Sequence, residues 1–128
     1  MRSIFSLKTS RIIYILFVFL SCGDGYAQTH ADTLYTIAVY YHKGLYAEHK
    51  HDDYVFKKIE YYYLKALEEN DVHYQAHYGL GVLYYHESKY FEKLSRNEKK
   101  YKKKSVLYLE KSNAHFKRYT DITGQKVD

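Results

Sequence analysis

No proline occurs anywhere in the chain, and beyond Ala27 the only glycines are Gly44, Gly79, Gly81 and Gly124. Turn-rich β architectures lean on both residues, so a chain this poor in them is directed toward long, uninterrupted helices. The apolar spacing agrees. Leu34, Ile37, Ala38 and Tyr41 recur at three- and four-residue intervals across 32–46, and Phe56, Ile59, Tyr63, Ala66 and Leu67 do the same up to about residue 69. Asp52 or Asp53 is placed to cap that second helix. Asn70-Asp71 interrupts the pattern, with Asp71 as the expected cap of a third helix over 72–91. Ser95 and Glu98 form the S-x-x-E pattern of a capping box before a fourth helix, whose expected buried line is Tyr101, Ser105, Tyr108, Leu109 and Ser112. Residues 121–128 have no periodicity and read as a tail. The expected fold is all-α: four main helices in tandem antiparallel hairpins, about 32–69 and 72–117, within a domain spanning 32–119.

The first 27 residues read differently. Arg2, Lys8 and Arg11 precede the apolar run IIYILFVFL at 12–20, long enough for the core of a secretory signal and too short to cross a membrane. Gly25 and Ala27 give a G-x-A cleavage site that would leave Gln28 at the mature N-terminus. Alternatively, Leu20-Ser21-Cys22 resembles a bacterial lipobox, which would make the signal 1–21 and lipidate Cys22. Either route implies export to the periplasm or cell envelope, in the second case with a membrane anchor. Without 1–27 the net charge falls from +5 to +3, so part of the basicity belongs to targeting. Cys22 is the one cysteine, so disulfides cannot hold the fold and packing must.

The helices also repeat. VYYHKGLY at 39–46 matches LYYHESKY at 83–90, and YYLKAL at 62–67 matches LYLEKS at 107–112, at offsets of 44 and 45. The second hairpin resembles a tetratricopeptide repeat. Leu80-Gly81 followed by Tyr84 matches the motif of its first helix, with His77 where the family usually has tryptophan. Ile59, Tyr63 and Ala66 match the second helix of the first hairpin, and Ser105, Leu109 and Ser112 the second helix of the second. The units run about ten residues longer than the family's 34. The resemblance implies close helix crossings at Gly81, Ala66, Ser105 and Ser112, in a fragment of a right-handed solenoid. It further implies binding of a protein or peptide on a concave face. By position that face takes Leu34, Ala38, Tyr41 and His42 from the first hairpin, and Gln75, Tyr78, Val82, Tyr85 and His86 from the second. Two hairpins make a short array, so either 113–119 folds back as a cap or the exposed end meets another molecule, a second copy included.

Catalytic patterns do not emerge. There is no glycine-rich phosphate loop, no recognisable Ser-His-Asp order and no paired carboxylates on a pocket face, and Tyr74 stands where an HExxH motif between His73 and His77 would need glutamate. The expectation is a binding protein without a cofactor. Eight histidines support an alternative, a metal- or haem-handling protein. Their densest group is Glu48-His49-Lys50-His51-Asp52-Asp53, although a lysine-broken loop without cysteine reads first as a solvated segment. Between Lys93 and Lys104 seven positive residues face only Glu98, a local charge of +6. With Tyr90, Phe91 and Tyr101 interspersed, this stretch suits an anionic surface, and export weighs against nucleic acid as that partner.

Overall fold

The structure, a computed structural model, describes residues 28–45 and 51–128. The described residues fold into four helices and no strand: α1 over 28–45, α2 over Asp53–Glu69, α3 over Tyr74–Ser95 and α4 over Lys100–Thr123. The fold is all-α. None of the described helices is long and apolar enough to cross a membrane. The candidate signal at 12–20, its cleavage sites and Cys22 lie outside the described residues.

Helix starts follow local chemistry in one case and depart from the motif in two. The Asp52 carboxylate accepts hydrogen bonds from the Tyr54 and Val55 amides and caps α2, as expected. At α3 the cap is His73 instead of Asp71: its Nδ1 accepts from the Ala76 amide at 3.2 Å. That contact leaves the proton on Nε2, which donates to Asp32 on α1 at 2.9 Å, so one imidazole both starts α3 and ties it to α1. The Ser95–Glu98 box does not form. Helix α3 continues through Ser95, whose hydroxyl donates to the Glu92 carbonyl, and α4 begins at Lys100 behind Lys99 with no side-chain cap. Helix α4 then runs past the expected boundary to Thr123. Gly124 closes it at φ 71°, a left-handed conformation that glycine adopts without steric cost.

Each helix lies antiparallel to the next, while α1 meets α3 and α2 meets α4 in parallel. His73–Asp32 and Tyr35–His73 join α3 to α1, and Phe56 packs edge-on against Tyr108 to join α2 to α4. The core gathers Ala38 from α1, Phe56, Ile59, Tyr63 and Ala66 from α2, and Ala76, Leu80, Leu83 and Tyr84 from α3. Small residues set the close approaches. A Cβ on Gly81 would lie 2.6 Å from the Phe116 ring, and the Ser112 hydroxyl donates to the Gly81 carbonyl at 2.8 Å. Gly79, which the motif does not single out, lies under Tyr63 of α2 in the same way.

Helix α4 packs through a narrower face than expected. Ser112 is fully buried, Tyr101, Ser105 and Tyr108 are half-buried, and Leu109 is exposed. As the last helix α4 has α3 along one side, so one apolar stripe suffices and Leu109 turns outward. Residues 113–119 do not fold back as a cap. They continue α4 straight along α3, with Phe116 and Tyr119 against Tyr78.

Candidate functional site

The residues expected on one concave face separate into three environments. His42 belongs to the core: it is 7% exposed and its Nδ1 shares a 2.9 Å hydrogen bond with the Tyr63 hydroxyl. Burial, with a smaller contribution from His86, lowers its pKa to about 4, so this imidazole is neutral at physiological pH. Ala38 is likewise buried, and Leu34 packs against the core. Tyr41 is half-buried and faces α2, stacked 6.2 Å from Tyr62 with Lys58 Nζ 4.1 Å from its ring centre. The α1 part of the expected face is therefore mostly packing, because α1 has only α2 and α3 on which to bury its apolar stripe.

The α3 part is open. Gln75 and Tyr78 join Tyr35, Tyr74 and Tyr119 around a cavity of about 160 Å³. Helix α1 supplies Tyr35, α3 supplies the next three and α4 supplies Tyr119. Tyr78 lies 5.3 Å from Tyr119 and 5.7 Å from Phe116, so its ring is braced by α4 while its outer side meets solvent. Burial, and next the neighbouring Tyr74, raises the Tyr35 pKa, so its hydroxyl keeps its proton as a donor. Val82 is half-buried further along α3, followed by exposed Tyr85 and His86 in edge-on contact at 5.8 Å. Tyr35, Tyr74 and Tyr119 were not among the expected residues. Tyr119 sits three positions after Phe116, so an α4 extended past residue 117 would have pointed to it.

A second grouping forms near the start of α2. Of the acidic and histidine-rich run, 46–50 lies outside the described residues and Asp52 is occupied as a cap. His51 Nε2 lies 2.9 and 3.0 Å from the two carboxylate oxygens of Glu87 in the middle of α3, and its Nδ1 lies 3.6 Å from Asp53 Oδ1. The His51 ring stacks flat on Tyr90, with centroids 3.7 Å apart. Close by, the Tyr84 hydroxyl donates to Glu60 at 2.7 Å; burial first and that contact second raise the tyrosine pKa. Glu87 interrupts the apolar stripe Leu80, Tyr84, Phe91, and a carboxylate at such a position is the sequence signal that could have singled it out.

The lysine-rich segment starts α4. Lys99, Lys102 and Lys103 flank exposed Val106 and Leu107 along a shallow hollow of about 440 Å³ that Glu110 closes. Lys100 pairs with Glu98 at 2.6 Å, and Lys104 Nζ lies 5.1 Å from the Phe91 ring centre. Basic and apolar groups thus share one outward face.

Comparison with protein-family models, with curated proteins and with solved structures returned no match.

Proposed function

We propose that this chain is a non-catalytic binding module of tetratricopeptide-repeat type that takes a protein or peptide segment on the tyrosine-lined face of α3. The carrying observation is the cavity walled by Tyr35, Tyr74, Gln75, Tyr78 and Tyr119. Tyrosine offers a large, rigid surface and a hydroxyl at low conformational cost, which suits recognition of an extended partner. The cavity has room for one apolar or aromatic side chain, with the Gln75 amide at its wall as donor and acceptor for the partner's backbone. Tyr85 and His86 extend the surface along the same helix. The lysines at the start of α4 would meet an anionic surface, and a second copy of the chain is also a candidate partner for the exposed face of α4.

A peptide-display selection tests this reading. Wild-type protein should enrich a shared motif; Tyr78→Ala and Gln75→Ala should lose it, whereas Tyr61→Ala, exposed on α2, should keep it. No enrichment, or enrichment unchanged in all three variants, overturns the assignment of this face. Export is part of the same proposal, supported by the basic residues and apolar run before residue 21. The mass of the chain recovered from cell envelopes should correspond to a start at Gln28 or at a lipid-modified Cys22, and a start at Met1 would contradict it.

A further inference from the structure

Glu87 is a carboxylate with a side chain only 6% exposed, on a helix face otherwise given to Leu80, Leu83, Tyr84 and Phe91. Among the described residues no lysine or arginine forms an ion pair with it; the pairing is with His51. Two more carboxylates, Asp53 and Glu60, are close enough to act on it electrostatically. One imidazole against three carboxylates leaves a surplus of negative charge around a buried oxygen pair. A buried charge is ordinarily matched by a partner or a metal.

We propose that His51, Asp53 and Glu87 bind a divalent first-row transition metal ion of the Zn²⁺ type. The three come from two parts of the chain: His51 and Asp53 flank the Asp52 cap at the start of α2, and Glu87 lies in the middle of α3. One donor atom from each lies within 4.8 Å of the others. Zinc-type bonds of about 2.0–2.2 Å set tetrahedral donors roughly 3.3–3.5 Å apart. His51 Nε2 and the Glu87 oxygens stand at 2.9 and 3.0 Å, so they need to part by only a few tenths of an ångström to admit an ion. Asp53 is exposed and stands 3.6 Å from Nδ1, the other ring nitrogen, so its carboxylate has to swing toward Nε2 to complete the set.

Two further features favour a metal over a simple hydrogen bond. The His51 ring is already fixed by its flat stack on Tyr90, with Phe91 edge-on at 6.3 Å, so ordering this ligand adds little cost. Both Glu87 oxygens lie within 3.0 Å of the same ring nitrogen, so an ion seated there would meet either oxygen or both. Imidazole with carboxylates suits Zn²⁺, Co²⁺ or Mn²⁺, whereas Ca²⁺ and Mg²⁺ favour all-oxygen shells. Three protein ligands would leave a fourth position for water. The other well-placed histidines are committed elsewhere: His73 to Asp32 and Ala76, His77 to the Asp71 carbonyl and His115.

Full-length chain without an affinity tag, titrated with Co²⁺ and then Zn²⁺, tests the site. One equivalent of Co²⁺ should bind with the visible absorption of a low-coordinate complex, and Zn²⁺ should displace it. Asp53→Asn and Glu87→Gln should each weaken binding about tenfold or more. A His77→Gln/His115→Gln double variant should bind as wild type. Circular dichroism confirms that each variant is folded, and Asp53→Asn, at an exposed position, decides the matter if Glu87→Gln unfolds. The proposal fails if the wild type takes up no stoichiometric Co²⁺, if Asp53→Asn and Glu87→Gln bind as tightly as wild type, or if the His77/His115 variant abolishes binding.

Discussion

His77 on α3 and His115 on α4 meet Nδ1 to Nδ1 at 2.9 Å. Because His77 Nε2 donates to the Asp71 carbonyl, its Nδ1 is the acceptor and His115 Nδ1–H is the donor. A second proton on both rings would set N–H against N–H and abolish the bond.

Stability should therefore fall in acid. Burial first, and then the charges of His77 and Lys111, lower the His115 pKa to about 4; burial likewise lowers that of His77, opposed by the Asp71 carbonyl, and that of His42 falls to about 4. Above the ordinary value of 6.5 both folded and unfolded chains are neutral at these sites and stability is flat. Below it the unfolded chain takes up protons first, so stability declines as pH drops from about 6.5 toward 4, with His42 and His115 each contributing on the order of 1–2 kcal/mol after solvent screening and His77 acting in the same direction. Glu87 works in the opposite sense, since burial raises its pKa and its protonation favours the folded state. Urea unfolding at a series of pH values measures the net slope, and His115→Gln should flatten it.

Close approach at the two glycines of α3 gives a stability series. Gly79→Ala sets a Cβ 2.5 Å from the Tyr63 ring, and overpacking outweighs the helix-propensity gain for a net loss of roughly 1–2 kcal/mol. Gly81→Leu, pressed into Phe116, should lose more. Gly44→Ala, with nothing within 4 Å, should hold or raise the unfolding midpoint. Equal midpoints for all three would refute the crossings described above.

The two candidate caps separate cleanly. Asp52→Ala removes hydrogen bonds to two amides and should cost about 1 kcal/mol. Ser95→Ala should change stability by less than about 0.5 kcal/mol, because its hydroxyl caps no helix start. Chemical denaturation of both variants reads the difference.

Lysines at the start of α4 oppose the helix dipole. Lys102→Glu or Lys103→Glu should raise stability by roughly 0.3–1 kcal/mol, an effect that shrinks as salt is added. Thermal scans at low and high ionic strength provide the check. Destabilisation by the substitution would mean that these side chains hold a structural contact.

What the sequence disclosed about these helices, and what it concealed, is clearest in the duplicated tyrosine–histidine run. The 44-residue offset pairs Tyr40 with Tyr84 and His42 with His86, yet Tyr40 and His86 are exposed while Tyr84 and His42 are buried. Burial aligns at 45 instead: Ala31 with Ala76, Ala38 with Leu83, His42 with Glu87. One residue turns a helix by about 100°, so the copied letters face different surroundings. Periodicity revealed the helices and a local side-chain signal the Asp52 cap, whereas the tight crossing at Gly81 was implied by the family resemblance. The cavity and the His51–Glu87 pairing depend on which distant turns come together, and no local pattern carries that.

The seam between α3 and α4 follows a simple rule of pairing: His77 with His115, Gly81 with Ser112, Tyr84 with Tyr108, Ser88 with Ser105 and Phe91 with Tyr101. It closes over the short link between Ser95 and Lys100, so little chain entropy is lost in bringing the helices together. Contacts so local in sequence favour rapid folding. This hairpin should thus be the nucleus, with α1 and α2 docking afterward, and pulsed hydrogen exchange should find its amides protected first. Earlier protection of α1 would reverse that order.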